Sequence, residues 1–429
     1  MRHALACILA ALLGLPLFAT AASSAPQPPP SPKHAASSAF HGVRVSDPYR
    51  WLEDGQSAKV EQWIAAQNAY TSHVLLDMPG GDALTRRIRQ LAITSTTRSA
   101  PLLAGDTLFY LRETPPQPQP VLVAQAWPDG QPHVLVDLNQ KQGIAITGYW
   151  PSPSGRYVAY GTARGGSELT TIHVLDVSTG KLLGDTLPWA GGGTSPQGLA
   201  WDADEKGFIY VRFPPPTGDH EVQPFHAALV HHTLGQSASN DTVVFGKNYS
   251  PIAEYKLLAS PGAKQLAVLA KTGDGGPWEI YVRRDGTFTR VVGKQANVRG
   301  ATWDGDRLLA ESFHDAPRGK VLAVDPDTGK SYVLLEQRKG ALQQIAPVGK
   351  GFLVVRSHGP DWWAEQYRHN GTLVRRLPLP EHGISFGGIA SEAGQPIALV
   401  TWGGWTLPSR WGEYDARDGT LKTVFEVQP

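Results

Sequence analysis

The sequence holds one cysteine, Cys7, in 429 residues. Cys7 lies inside the first apolar stretch, so the chain beyond that stretch has no thiol and makes no disulfide. An exported chain of this kind is held by burial and hydrogen bonds alone, which suits a bacterial periplasm or medium better than a disulfide-rich animal secretion. Excess charge is also missing: 39 Lys and Arg against 38 Asp and Glu give a formal net charge of +1. Phosphate binding needs clustered Lys and Arg, and no such cluster occurs, which argues against nucleic acid as a partner. No apolar run reaches the roughly twenty residues that cross a bilayer. The sequence has no His-Glu-x-x-His helix, no Gly-rich phosphate loop and no cysteine cluster, so no cofactor and no metal is expected. One string fits the nucleophile elbow G-x-S-x-G, Gly383-Ile384-Ser385-Phe386-Gly387, but no helical period follows it.

What is abundant points to strands. There are 46 Gly, 35 Pro and 13 Trp, the profile of many short strands joined by tight turns. The chain opens differently. Arg2 and His3 form a basic start, Ala4 through Phe18 is apolar or small, and Ala19-Thr20-Ala21 is an A-x-A cleavage site. This predicts a signal peptide over 1–21 and an exported protein, periplasmic or extracellular, with no membrane attachment after cleavage; a transmembrane anchor is the alternative, and the run is short for it. The Pro-rich stretch Ala25 to Pro32 predicts a disordered linker over 22–42.

Residues 43–92 carry a helical period. Val60, Trp63, Ile64, Gln67, Tyr70 and Val74 recur at three- and four-residue spacing after a start near Ser57, and Pro79-Gly80-Gly81 breaks the pattern. A second short helix is expected from Ala83 to Leu91. Trp51, Leu52, Trp63 and Leu75 lie on faces that one or two helices cannot bury against each other.

From Thr94 the helical period disappears and repeats begin. A Gly-containing turn followed by a strand occurs seven times, at Gly105–Tyr110, Ser154–Tyr160, Glu205–Tyr210, Gly262–Val268, Gly305–Ala310, Gly349–Val354 and Gly394–Leu399. Each copy is followed by a second polar turn, such as Asp176–Gly180, Arg284-Asp285-Gly286, Asp325–Gly329 or Asp415–Gly419. Asp-Gly and Asn-Gly suit the positive φ of hairpin turns. Units of about 45 residues with four strands read as propeller blades. The expectation is a mainly β chain: a seven-bladed β-propeller over 93–427, preceded by the short helical segment. A pair of β-sandwiches is the alternative, but it would not need one order of turn types seven times.

Several of these phrases match a known family. Asp47-Pro48-Tyr49-Arg50-Trp51-Leu52-Glu53-Asp54, with Val60-Glu61-Gln62-Trp63 and Gln67-Asn68, resembles the opening of prolyl oligopeptidases. Pro151 to Tyr160 with Gly166-Ser167-Glu168, and Leu199-Ala200-Trp201-Asp202 with Lys206 to Tyr210, look like two of their blades. The resemblance covers residues 43 to 427. It implies a propeller that admits only short peptides to a central cavity, paired with an α/β-hydrolase domain that carries Ser, Asp and His and cleaves after proline. The helical segment belongs to that hydrolase domain in the family. No triad residue carries over, because no segment here matches the hydrolase domain. The resemblance therefore implies a catalytically incomplete portion of a serine peptidase, with short peptides and a separate α/β-hydrolase chain or domain as partners. The competing reading is a stand-alone peptide- or protein-binding propeller, and a decayed, poorly soluble gene product is a third.

The remaining candidates have ordinary alternatives. Ser167 lacks the second glycine, and Ser385 lies among the strand repeats and not between a strand and a helix, so no catalytic residue is expected. His220, His226, His231 and His232 lie close in sequence and offer a metal site, or plain loop and strand positions. Trp362-Trp363 and Trp402-Gly403-Gly404-Trp405 offer walls for a peptide tunnel, or inter-blade packing.

Overall fold

A computed structural model describes residues 27–428 apart from 93, 192–197, 216–224 and 381. The expected signal peptide and His220 lie outside the described residues. The chain divides into two compact units, up to Leu91 and from Ala92 onward.

The first unit contains a hairpin, β1 (Ser37–Phe40) with β2 (Val43–Ser46), and two helices, α1 (Ala58–Leu76) and α2 (Gly81–Ala92). These are the only α-helices among the described residues, and neither is long and apolar enough to cross a membrane. Ser57 precedes α1 in an extended conformation. After α1 the chain turns at Pro79 and Gly80, where φ is +83°; Pro disrupts a helix and Gly accepts the left-handed turn. Trp51 and Trp63 meet edge to face at 6.1 Å. The spacer expected to be disordered over 22–42 is tied down along its described part. Trp51 Nε1 donates to the Pro32 carbonyl at 2.9 Å, Trp63 Nε1 to Ser31 Oγ at 3.1 Å, and Gln67 Nε2 to the Pro29 carbonyl at 2.8 Å.

Among its described residues the second unit is built of strands and three single-turn 3-10 helices. One four-stranded sheet is β3 (Thr97–Ala104), β4 (Thr107–Glu113), β5 (Val121–Ala126) and β6 (His133–Val136). Next come β7 (Ile144–Pro151), β8 (Tyr157–Arg164), β9 (Leu169–Asp176), β10 (Lys181–Gly191), β11 (Leu199–Trp201), β12 (Gly207–Arg212), β13 (Ala228–Thr233) and β14 (Thr242–Phe245). Four further four-stranded sheets follow: β15 (Glu254–Ala259), β16 (Leu266–Lys271), β17 (Glu279–Arg284), β18 (Thr287–Val292); β19 (Val298–Asp304), β20 (Arg307–Ser312), β21 (Lys320–Val324), β22 (Ser331–Leu335); β23 (Ala341–Val348), β24 (Gly351–His358), β25 (Asp361–Arg368), β26 (Leu373–Arg376); and β27 (Ser385–Ser391), β28 (Ile397–Gly403), β29 (Arg410–Asp415), β30 (Leu421–Glu426).

The architecture is a β-propeller, and its blade count corrects the expectation of seven. Five four-stranded blades are present, while β7 through β14 form one eight-stranded sheet. The cause is local. The eleven-residue β10 carries two register shifts against β9, and its end reaches β12, where Ala190 pairs with Arg212. The short β11 pairs only with Phe208 to Tyr210, leaving Arg212 to take that partner.

The turns explain why the strands fall where they do. Asp285 and Gly286 have φ of +45° and +80° between the paired Arg284 and Thr287, a two-residue hairpin that needs positive φ at both positions. Asp176 and Asp325 head a longer turn. Each carboxylate accepts the backbone N–H three residues on at 3.0 Å, and each carbonyl accepts the glycine N–H four residues on at 2.9 Å. Between strands, alternate side chains pack against neighbouring sheets. Leu108, Tyr110 and Val123 of the first blade share a buried cluster with Leu399 and Trp411 of the last. No strand is exchanged between these two blades; apolar contact closes the ring.

Candidate functional site

The C-terminal ends of β3, β7, β11, β15, β19, β23 and β27 line a cavity of 330 Å³. This is the mouth of the channel along the propeller axis. The adjoining turns stitch its rim. Ser154 donates through its backbone N–H (2.6 Å) and its hydroxyl (2.8 Å) to the carboxylate of Glu205 in the next inner turn. Gly349 N–H donates to the Gln395 carbonyl at 2.7 Å. At Gly155, φ is +76° and an added Cβ would stand 2.7 Å from the Ala104 carbonyl, so a side chain there would force two turns apart.

Three indoles wall the mouth. Trp201 Nε1 donates to the Trp150 carbonyl at 2.9 Å, and Trp303 Nε1 donates to the Leu258 carbonyl at 2.8 Å. Each bond ties one inner strand to the inner strand before it. Trp201 also stacks on Tyr157 and meets Phe208 edge-on at 5.0 Å, which fixes its ring. The mouth serines are turn residues. Ser152 Oγ accepts the Tyr157 N–H at 3.1 Å, and Ser260 Oγ accepts the Gln265 N–H at 2.8 Å. Glu392 is the one charged residue on the wall. Burial raises its carboxyl above the usual glutamate range.

The residues singled out from sequence lie elsewhere. Trp362, Trp402 and Trp405 line a separate cavity of 610 Å³ beside β27 and β28. Trp362 stacks on Phe386 of the next blade at 6.5 Å, an inter-blade contact, whereas Trp405 is fully exposed. Trp363 lies under the Arg376 guanidinium. Ser167 Oγ accepts the Leu169 N–H at 3.1 Å in a loop. Ser385 pairs with Gly403 across β27 and β28.

The histidines have separate partners. His226 is exposed, with φ of +60°. His231 Nε2 is 2.7 Å from Asp202 Oδ2, and the Asp202 hydrogen bond holds the His231 pKa above its usual value. His232 is fully buried, with Nδ1 2.7 Å from Asp241 and Nε2 3.0 Å from Asp185. Asp241 also accepts from the Tyr210 hydroxyl at 2.8 Å and from Arg212 at 3.3 Å. Asp241 therefore faces Arg212 and one imidazole nitrogen, and Asp185 faces the other nitrogen through Oδ1, while its Oδ2 is buried without a hydrogen-bond partner among the described residues. This cluster reinforces the eight-stranded sheet, since its members come from β10, β12, β13 and the turn before β14. Among the described residues no group of three or more His, Cys, Asp and Glu has metal-holding geometry.

The sheets around this cavity define a β-propeller. Comparison places that propeller in a family. Residues 29–427 match the family model of the prolyl oligopeptidase N-terminal beta-propeller domain, and the chain belongs to the prolyl oligopeptidase family. It is 27% identical over 385 residues to a prolyl endopeptidase of Elizabethkingia meningoseptica, covering 85% of this chain and 52% of that protein. It is 25% identical over 410 residues to the dual function macrocyclase-peptidase POPB of Amanita bisporigera, covering 87% and 55%. The chain thus spans about half the length of these curated relatives. A solved prolyl endopeptidase superposes with a TM-score of 0.82 at 25% identity, covering 93% of this chain and 60% of that one. Prolyl oligopeptidase B from Galerina marginata, bound to a 35mer hydrolysis and macrocyclization substrate, gives 0.80 at 20% identity, covering 93% and 61%; at that identity the likeness is one of fold.

Proposed function

We propose that this chain is the substrate-gating propeller of a prolyl-oligopeptidase-like serine peptidase acting on short proline-containing peptides, and that it does no acyl transfer by itself. The observation that carries the reading is the 330 Å³ mouth at the axis, with a rim stitched by hydrogen bonds and an indole-lined wall. A cavity of that size takes a few residues of extended chain and excludes a folded domain. Acyl transfer needs a nucleophile, a base and an oxyanion hole together. The one G-x-S-x-G string, Gly383 to Gly387, puts Ser385 at the start of strand β27, paired with Gly403, and not at a strand-to-helix elbow, which supports a catalytic partner domain or chain outside this sequence. Export through the 1–21 leader belongs to the same proposal.

The test is calorimetric titration of the full chain with a short Pro-containing peptide. Saturable binding is expected. Ala259 is exposed and lines the mouth, so Ala259→Trp should occlude it and abolish binding. Binding unaffected by Ala259→Trp would move the site away from the channel. Binding that requires no hydrolase partner also fits the second reading, a stand-alone peptide-binding propeller. The two separate when a hydrolase domain from a relative is added: the gating reading expects a stable complex, the stand-alone reading none.

A further inference from the structure

Glu392 follows β27 at the channel mouth, and it has no counter-ion. Its carboxylate makes no ion pair and no hydrogen bond among the described residues; only its backbone carbonyl is engaged, by the Gln395 N–H at 3.1 Å. The rest of the wall is uncharged, being indole, proline, alanine, leucine, serine, threonine and glycine. Lys264 and Lys350 lie in the adjoining cavity on the rim and form no ion pair with it. An ionised carboxylate against such a wall loses hydration that no protein group replaces. A cation brought beside it gains a Coulomb attraction that the indole walls screen less than bulk water would.

We infer that the channel mouth holds a subsite for a cationic group of the entering peptide, with Glu392 as the counter-ion and Trp150, Trp201 and Trp303 as its apolar wall. This rests on the reading that peptides enter through the mouth. The shared chemistry is an ammonium or guanidinium, supplied either by the peptide's N-terminus or by a Lys or Arg side chain. A cation seated here would orient the peptide before it passes along the axis.

The experiment titrates the full chain, at low salt, with three versions of one Pro-containing octapeptide: free N-terminus, N-acetylated, and N-acetylated with one lysine. Wild type and Glu392→Gln are compared; the glutamine keeps the shape and removes the charge. Wild type should bind the free-amine peptide about tenfold more tightly than the acetylated one, the scale of a charge-assisted hydrogen bond. Glu392→Gln should erase that difference while leaving acetylated-peptide affinity unchanged. Recovery of affinity with the lysine peptide shows that the subsite takes a side-chain cation as well as the α-ammonium, and no recovery restricts it to the α-ammonium. Equal affinities of wild type for all three peptides would overturn the inference and leave the gating reading standing. No binding of any peptide would overturn both.

Discussion

The indole Nε1 of Trp201 donates to the backbone carbonyl of Trp150 across 2.9 Å, and so ties β11 to β7 at the edge of the channel mouth. Trp303 repeats the device on Leu258 at 2.8 Å. Trp201→Phe keeps most of the apolar volume but removes the indole donor to the Trp150 carbonyl. The expected loss is about 1–3 kcal/mol in urea unfolding. Trp201→Ala, which also opens a cavity, should lose about 3–5 kcal/mol. Equal effects of the two substitutions would show that the hydrogen bond contributes most of the residue's effect.

The ring closes on apolar contact. Trp411 is buried and meets Tyr110 edge-on at 5.7 Å across the seam between first and last blades. Trp411→Ala removes the largest side chain of that seam and should destabilise by about 3–5 kcal/mol. Hydrogen exchange should rise first in β3–β6 and β27–β30, because those sheets lose the contact. A uniform rise across all sheets would mean that the seam is not the weak point.

The buried cluster around His232 predicts a sharp contrast between ion pairs. Asp241→Ala leaves His232, Tyr210 and Arg212 without their shared acceptor, and should cost about 3–5 kcal/mol. Lys206 pairs with Asp204 at 3.8 Å with both side chains exposed. Lys206→Ala should change stability by less than about 1 kcal/mol. Chemical denaturation of both variants checks the pair.

Glu311 predicts the sign of a pH effect. Its carboxyl is pushed up to about 7 by burial, against the lowering effects of the Ile345 N–H and Lys256. The folded state therefore holds a proton that the unfolded chain has released, and stability falls as pH rises from the usual glutamate range to about 7. Glu311→Gln keeps an acceptor for the Ile345 N–H, now 3.1 Å from Oε1, and cannot ionise. Relative to wild type it should gain stability as pH rises through that window. Parallel stability curves for the two proteins from pH 4 to 8 would contradict this.

Much of the strand layout was legible because turns are local. Gly286 beside Asp285, and the Asp176 and Asp325 turns, satisfy their own backbone within five residues, so the sequence alone marks them. The helix after Ser57 was legible for the same reason. The blade count was not. It depends on whether Ala190 meets Arg212, and that follows from bulges in β10 and the shortness of β11, which no turn signal encodes. The mouth was also hidden. Trp150 and Trp201 are 51 residues apart and Trp303 lies 102 further on, and only the ring brings them together. A signal did exist: each precedes the turn out of an inner strand, and Trp201 and Trp303 are each followed by Asp.

The central claim is that this chain gates peptides and does not cleave them. The direct measurement is hydrolysis of a Gly-Pro reporter peptide by the purified full chain, with and without a serine-directed inhibitor. The account predicts no turnover above buffer and no labelling by the inhibitor. Turnover that copurifies with the chain and stops on labelling of one of its serines would contradict it.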